Sequence, residues 1–337
     1  MPLTLESRDK KGRAEALPAQ KRQEAILLHR AIHTGKKLSD YKKKVAVNGA
    51  LPADIKAQKF AVEERWITLN GARMRYLYAG SGPALLLVHG LLGYSFSWRF
   101  TIPTLAQHAS VYAVDLLGTG FSDRPPDLDC SFRASAQRLL RFMDATDIAS
   151  CDLLGTSHGG ALAMMLAALA PERIRRLILV DPVNPWSAHG KHLSVLLGNP
   201  LVTPLFLTLA PRVRILDEFY HRRMFSDSRR IPPDSLEGYR KPMRIPRSYE
   251  YGLAVLRSWN RDLRELESVL PRIAHIPTLL IWGSSDTAVD PASAQQLQQR
   301  SRDCRLIMLE GVGHLPYEEV PEEFNRAVTA FLSANSH

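Results

Sequence analysis

Three observations predict an α/β fold for this 337-residue chain: a mostly parallel sheet, helices on both of its faces and an inserted helical cap. First, six short apolar runs alternate with helical stretches, the pattern of parallel strands covered on both faces. Second, these runs are preceded by a hairpin turning on Asn70-Gly71. Third, residues 185–275 interrupt the alternation with helical periodicity and little strand signal, which reads as an insertion.

Taken in chain order, residues 1–60 form an N-terminal extension with one expected amphipathic helix. Ala25, Leu28 and Ile32 share a face, and Lys21, Arg22, Arg30 and Lys37 add charge around it. The core opens at residue 61. "RWITLNGARMRYLYAG" is two strand-like runs joined by Asn-Gly, both of which tolerate the positive φ of a type I′ turn. The parallel runs follow at Ala84–Val88, Val111–Val114, Asp152–Leu154 and Leu177–Val180, completing the first part of the core at residue 184. After the cap, Thr278–Trp282 and Arg305–Leu309 belong to the second part, 276–337.

Within the cap, "HLSVLLGNPLVTPLFLTLAP" (residues 192–211) has no acidic or basic side chain apart from its histidine. Its length raises the question of a transmembrane helix. Asn199, Pro200 and Pro204 spoil such a span, which would also pull apart the sheet on either side. Buried or interfacial cap helices are the expectation.

Charge is distributed unevenly. The chain carries +10, yet residues 1–60 hold fourteen Lys or Arg against six Asp or Glu and so account for +8 of it. A nearly neutral body with a basic arm argues against nucleic acid as a partner. It suits a solvated helix that packs on the body or on another subunit, with peripheral contact of residues 1–60 with an anionic membrane surface as the alternative. The arm lacks the apolar segment of a secretory signal. Cys130, Cys151 and Cys304 are odd in number and outside any C-x-x-C pattern, so neither a disulfide framework nor a zinc site is expected, and a cytoplasmic setting fits.

The chemistry centres on "CDLLGTSHGGA", residues 151–161. A strand ending at Leu154, a G-x-S-x-G turn and an Ala/Leu/Met-rich helix follow one another, the context of a nucleophile elbow. Ser157 must sit in a strained turn that lifts its hydroxyl clear of the sheet, and Gly155, Gly159 and Gly160 remove side chains that would obstruct it. A serine hydroxyl needs a histidine base and an acid to orient that base. His314, in "LEGVGHLPYEE" after the last strand-like run, is placed to fold back over the sheet edge. Asp286, four residues beyond Trp282, is the preferred acid; Asp181, just after the fourth parallel run, competes with it. Asp290, before Pro291, reads as a helix cap or turn residue.

With "LLLVHGLLG", "VYAVDLLGTGFSDRP", "LLGTSHGGALA", "LLIWGSSD" and "GVGHLPYEE" in this order, residues 61–337 resemble the α/β-hydrolase superfamily, in its lipase/esterase-like branch with a helical cap. The resemblance implies an α/β-hydrolase fold and the chain order Ser157, Asp286, His314 for the triad. It also implies an oxyanion hole made by the backbone N–H groups of Leu91 and His158. Two such preset donors are each worth about 10²- to 10³-fold in rate. The related haloalkane dehalogenases and epoxide hydrolases carry aspartate at the elbow, where this chain has Ser157. Alkyl-enzyme chemistry is therefore not expected, whereas carbon–carbon bond hydrolases and cofactor-free perhydrolases keep the serine and stay open.

The leading expectation is a serine hydrolase acting on a small-molecule carboxylic ester with no cofactor and no metal, the uncharged cap stretch with Phe206 lining an acyl pocket. A non-catalytic ligand-binding protein on the same scaffold is the alternative from another class. The side chain of His158 reads as packing, and His89 as a structural histidine bonding the loop backbone. Gly118-x-Gly120 fails as a dinucleotide fingerprint because Asp123 takes the third glycine's place.

Overall fold

The computed structural model describes residues 6–8, 14–16, 61–187, 196–197, 199, 201–209 and 214–334. The chain divides into two units, Met1–Gln58 and Lys59–His337. In the first, β1 (Glu6–Arg8) pairs antiparallel with β2 (Ala14–Ala16). The amphipathic helix expected around Ala25 and Ile32 lies outside the described residues.

The second unit is built on an eight-stranded sheet. Its strands are β3 (Glu63–Leu69), β4 (Ala72–Ala79), β5 (Ala84–Val88), β6 (Ser110–Val114), β7 (Cys151–Thr156), β8 (Ile174–Val180), β9 (Thr278–Gly283) and β10 (Cys304–Leu309). Across the sheet the order is β10-β9-β8-β7-β5-β6-β4-β3. The β3–β4 hairpin turns where Asn70 (φ 51°) and Gly71 (φ 83°) are both left-handed, as a type I′ turn requires. It joins β6 antiparallel through β4, and every pair from β6 to β10 is parallel.

Strand periodicity sends neighbouring residues to opposite faces, so a strand buried on both faces needs apolar residues throughout. In β5, Leu86 and Val88 enter one core with the Phe132–Ala145 and His158–Leu169 helices, while Leu85 and Leu87 enter a second core on the other face. There Ile102, Leu105, Phe324 and Val328 meet them from the helices Ile102–Leu105 and Pro321–Ala334. The central strand β7, between β5 and β8, is buried along its whole length. Its C-terminal end carries the G-x-S-x-G turn.

Between β8 and β9 lie the helices Val202–Leu209, Arg214–Arg223, Ser235–Met243 and Ser248–Val269. The last has one apolar face, including Leu256, Trp259, Leu263 and Leu266, which joins the core beneath it. The uncharged stretch is split by its own helical period. Val202, Phe206 and Leu207 pack against the main core, while Leu201 (86% exposed), Leu205 and Leu209 face outward. Among the described residues no helix is long and apolar enough to cross a membrane.

Candidate active site

The turn after β7 is tight because backbone lies where side chains would otherwise be. A Cβ on Gly155 would sit 2.4 Å from the Gly159 carbonyl oxygen, and one on Gly159 would sit 2.3 Å from that of His89. Ser157 itself takes φ 53°, ψ −123°, a conformation that L residues avoid unless the surroundings impose it. Here the surroundings do. Its N–H donates to the Val180 carbonyl (2.9 Å), and its own carbonyl accepts from Val183 and Gly160 (both 2.9 Å). The side chain is left half-buried at the head of the His158–Leu169 helix, where the N–H groups of the first turn have no intrahelical partner.

His89 anchors the loop facing this turn. Its Nε2 accepts the Leu116 N–H (3.1 Å), which fixes the proton on Nδ1, and that group donates to the Gly90 carbonyl (2.8 Å). Burial pushes its pKa down, so the ring stays a neutral strut. Gly90 is thereby pressed against Ser157, its missing Cβ only 3.2 Å from the serine Cβ. Leu91 and His158, the two residues expected to supply oxyanion donors, directly follow Gly90 and Ser157 in the chain.

Asp286 and His314 meet in the loops after β9 and β10. His314 Nδ1 lies 2.7 Å from Asp286 Oδ2, and both residues are buried. The other carboxylate oxygen, Oδ1, accepts from the N–H groups of Ala288 (2.6 Å) and Val289 (3.0 Å). With Nδ1–H given to Asp286, Nε2 is left as the basic nitrogen. Asp290 accepts from the Ala292 N–H (2.9 Å), a turn contact away from the pair.

Asp181 does not stand apart as a rival. It lies at the end of β8 with no solvent exposure, and its Oδ1 accepts the Gly283 N–H (2.9 Å). One polar atom from each of Asp181, Asp286 and His314 falls within 4.8 Å of the others. That spacing would admit a metal ion, but Asp286 and His314 use their facing atoms on one another in a direct hydrogen bond. The arrangement is a hydrogen-bonded acid–imidazole pair with a second carboxyl group beside it.

Sequence reading assigned nothing to Glu318 and Glu319, and the structure gives both a part. Glu319 accepts from the N–H groups of Gly313 (3.0 Å) and Ser226 (3.1 Å), clamping the histidine loop to the cap. The His314 N–H donates to the Met224 carbonyl (2.8 Å) in the same seam. Glu318 takes a bidentate pair from Arg99 (2.9 Å each) and hydrogen bonds from Ser235 (2.7 Å) and Tyr239. Tyr239 OH also reaches Ser97 Oγ (3.0 Å). Two acids in the otherwise apolar "GVGHLPYEE" were the available signal, since carboxylates buried in such a segment require partners.

His158 packs as expected. Its ring is buried between Phe132 (5.4 Å) and Trp259 (6.2 Å, nearly parallel), and desolvation lowers its pKa to about 3. An unfolded chain binds this proton near 6.5 and the native one does not, so the associated stability is complete above pH 6.5 and lost as pH falls toward 3. His158→Phe is expected to flatten the acid-side fall in unfolding free energy by on the order of 4 kcal/mol at its foot. Urea denaturation at a series of pH values measures it, and an unchanged slope would place that proton uptake elsewhere.

Comparison with known proteins agrees with this fold. Residues 83–321 match the model of the alpha/beta hydrolase fold family. The chain is 30% identical over 274 residues to an uncharacterized protein of Mycobacterium tuberculosis (strain ATCC 25618 / H37Rv), spanning 79% of this chain and 80% of the relative. It is 27% identical over 279 residues to the 2-hydroxymuconate semialdehyde hydrolase of Pseudomonas sp. (strain CF600), spanning 80% and 93%. Among solved structures, a putative lipase from Acinetobacter baumannii superposes with a TM-score of 0.69 at 24% identity, covering 80% of this chain and 91% of the other, a likeness of fold.

Proposed function

Because this chain belongs to the alpha/beta hydrolase family, we propose that it is a serine hydrolase that cleaves carboxylic esters through an acyl-enzyme. The observation that carries this reading is the pairing of a strained, half-buried Ser157 with an ordered Asp286–His314 hydrogen bond of 2.7 Å. In the proposed reaction His314 Nε2 takes the Ser157 hydroxyl proton as Oγ attacks the ester carbonyl. Asp286 holds the imidazole and its developing positive charge. The N–H groups of Leu91 and His158 receive the oxyanion, and His314 returns the proton to the leaving alcohol. Water then repeats the sequence on the acyl-enzyme. Purified protein should hydrolyse p-nitrophenyl butyrate and take up a fluorophosphonate at Ser157. Inertness to both reagents would end this reading in favour of a non-catalytic binding protein.

An apolar acyl group is the proposed substrate class. Support comes from Phe206 and Leu207 of the cap, which border the same core as Leu91 and Leu92 of the loop facing Ser157. Each added methylene that becomes buried contributes about 0.8 kcal/mol, or about fourfold in kcat/KM. A series of p-nitrophenyl esters is expected to climb from acetate over several carbons. A maximum at acetate would remove the acyl-pocket assignment. The likeness to the 2-hydroxymuconate semialdehyde hydrolase favours carbon–carbon bond hydrolysis as the second reading. A vinylogous 1,5-diketone in the same panel separates the two.

A further inference from the structure

We propose that Asp181 is a positioning residue for Asp286: held as a neutral carboxylic acid at the end of β8, it donates its Oδ2–H to the Asp286 carboxylate and steadies it against His314. Asp181 is wholly buried, and β8 and β9 fix it through two contacts of 2.9 Å, its own N–H to the Ile281 carbonyl and the Gly283 N–H to its Oδ1. Its Oδ2 is buried and accepts from no donor among the described residues. One oxygen of each carboxyl group lies within 4.8 Å of the other.

Two carboxyl groups so placed cannot both be charged, and the contacts decide which keeps the proton. Asp286 receives two backbone N–H groups and the imidazole, whereas Asp181 receives one N–H. No Lys or Arg among the described residues forms an ion pair with either. Glu319 and Tyr317, on the following Pro316–Glu319 turn, add negative or neutral character toward Asp181, and Tyr220 of the cap faces Asp286. Burial, followed by the charge of Asp286, holds the Asp181 carboxyl well above the ordinary carboxylate range. The proton on Oδ2 therefore falls where an oxygen of the partner carboxylate can accept it. The main chain shares the task, because the Val180 carbonyl next door receives the Ser157 N–H. One strand end thus sets the orientation of both the proposed nucleophile and the proposed acid.

The effect on rate rests on the acyl-enzyme reading; the protonation state does not. Infrared difference spectra of wild type against Asp181→Asn at neutral pH are expected to show the C=O stretch of a protonated carboxylic acid that the variant lacks. Absence of that band would overturn the proposal whatever the activity. In turnover of p-nitrophenyl butyrate, Asp181→Ala is expected to lose about tenfold in kcat with KM little changed, as for other residues that orient a reacting group through a neighbour. Its acid limb in kcat/KM should move to higher pH, because an Asp286 without its donor holds the imidazolium more strongly. Asp181→Asn keeps an N–H donor toward Asp286 and an acceptor for Gly283, so it should recover most of what Ala loses and leave the acid limb in place. An acid limb lowered by about one unit in Asp181→Asn would mean that a negative charge had been removed, and would overturn the neutral acid. A wild-type protein with the band and no turnover of any ester would sink the hydrolase reading alone. The band and the Asn variant keep the test open if Asp181→Ala does not fold.

Discussion

Ser157→Ala and His314→Ala are each expected to cut turnover of p-nitrophenyl butyrate by about 10⁴- to 10⁶-fold, and the double variant by no more than either single one. The groups act as a unit: a hydroxyl without its base is a poor nucleophile, and a base without its nucleophile has nothing to deprotonate. Whatever activity survives would reflect binding and oxyanion donors that both variants keep. Folding should not confuse the result. The Ser157 side chain accepts no cap hydrogen bond, and alanine is no more strained than serine at φ 53°. Burst kinetics and fluorophosphonate labelling, followed by mass spectrometry of the Ser157 peptide, report the loss directly. Labelling that persists in Ser157→Ala would locate the nucleophile elsewhere.

Asp286→Asn is expected to cost about 10⁴-fold in kcat, and the contacts of this carboxylate give the reason. Oδ1 accepts two backbone N–H groups, from Ala288 and Val289, so the amide oxygen of asparagine must occupy that side. The NH₂ then faces His314 Nδ1, 2.7 Å away in the native pair, and that nitrogen must become an acceptor. The imidazole proton is driven to Nε2, where no lone pair is left to receive the serine proton. Steady-state kinetics with a thermal melt to confirm folding checks this. Near-native activity would mean that Asp181 holds the histidine, contrary to its proposed neutrality.

Much of this arrangement was legible in the sequence because its strongest signals are local. The six apolar runs appear as β5 to β10, since strands covered on both faces leave an uninterrupted hydrophobic trace. Asn70-Gly71 turns the hairpin because few other pairs take two positive φ values, and the glycines around Ser157 stand together in one short G-x-S-x-G stretch even though Gly159 answers to the distant His89 carbonyl. What could not be read is what folding brings from afar. Asp181 looked like an alternative to Asp286 because sequence shows two acids after two strands and says nothing of the distance between them. The roles of Glu318 and Glu319 depend on Arg99, Ser226, Ser235 and Tyr239, whose approach no periodicity encodes. The uncharged composition of the cap stretch does not distinguish its sides, and its helical turn divides it into an inner side at Phe206 and an outer side at Leu205.

The seam between Met224 and His314 carries a mechanical consequence. The His314 N–H is tied to the Met224 carbonyl, and a Cβ on Gly313 would strike that carbonyl oxygen and the Ser226 nitrogen, both at 2.6 Å, so the two chain segments are interlocked. Glu319 rivets the same point from below. A cap lifted away as one rigid plate would therefore drag the backbone of the proposed base with it. On the proposed mechanism, any opening of the cap that keeps the base in place would have to bend beyond this seam. An opening that broke the seam would put the proposed base out of line, so the proposed chemistry would stop while the site stood open to bulk water.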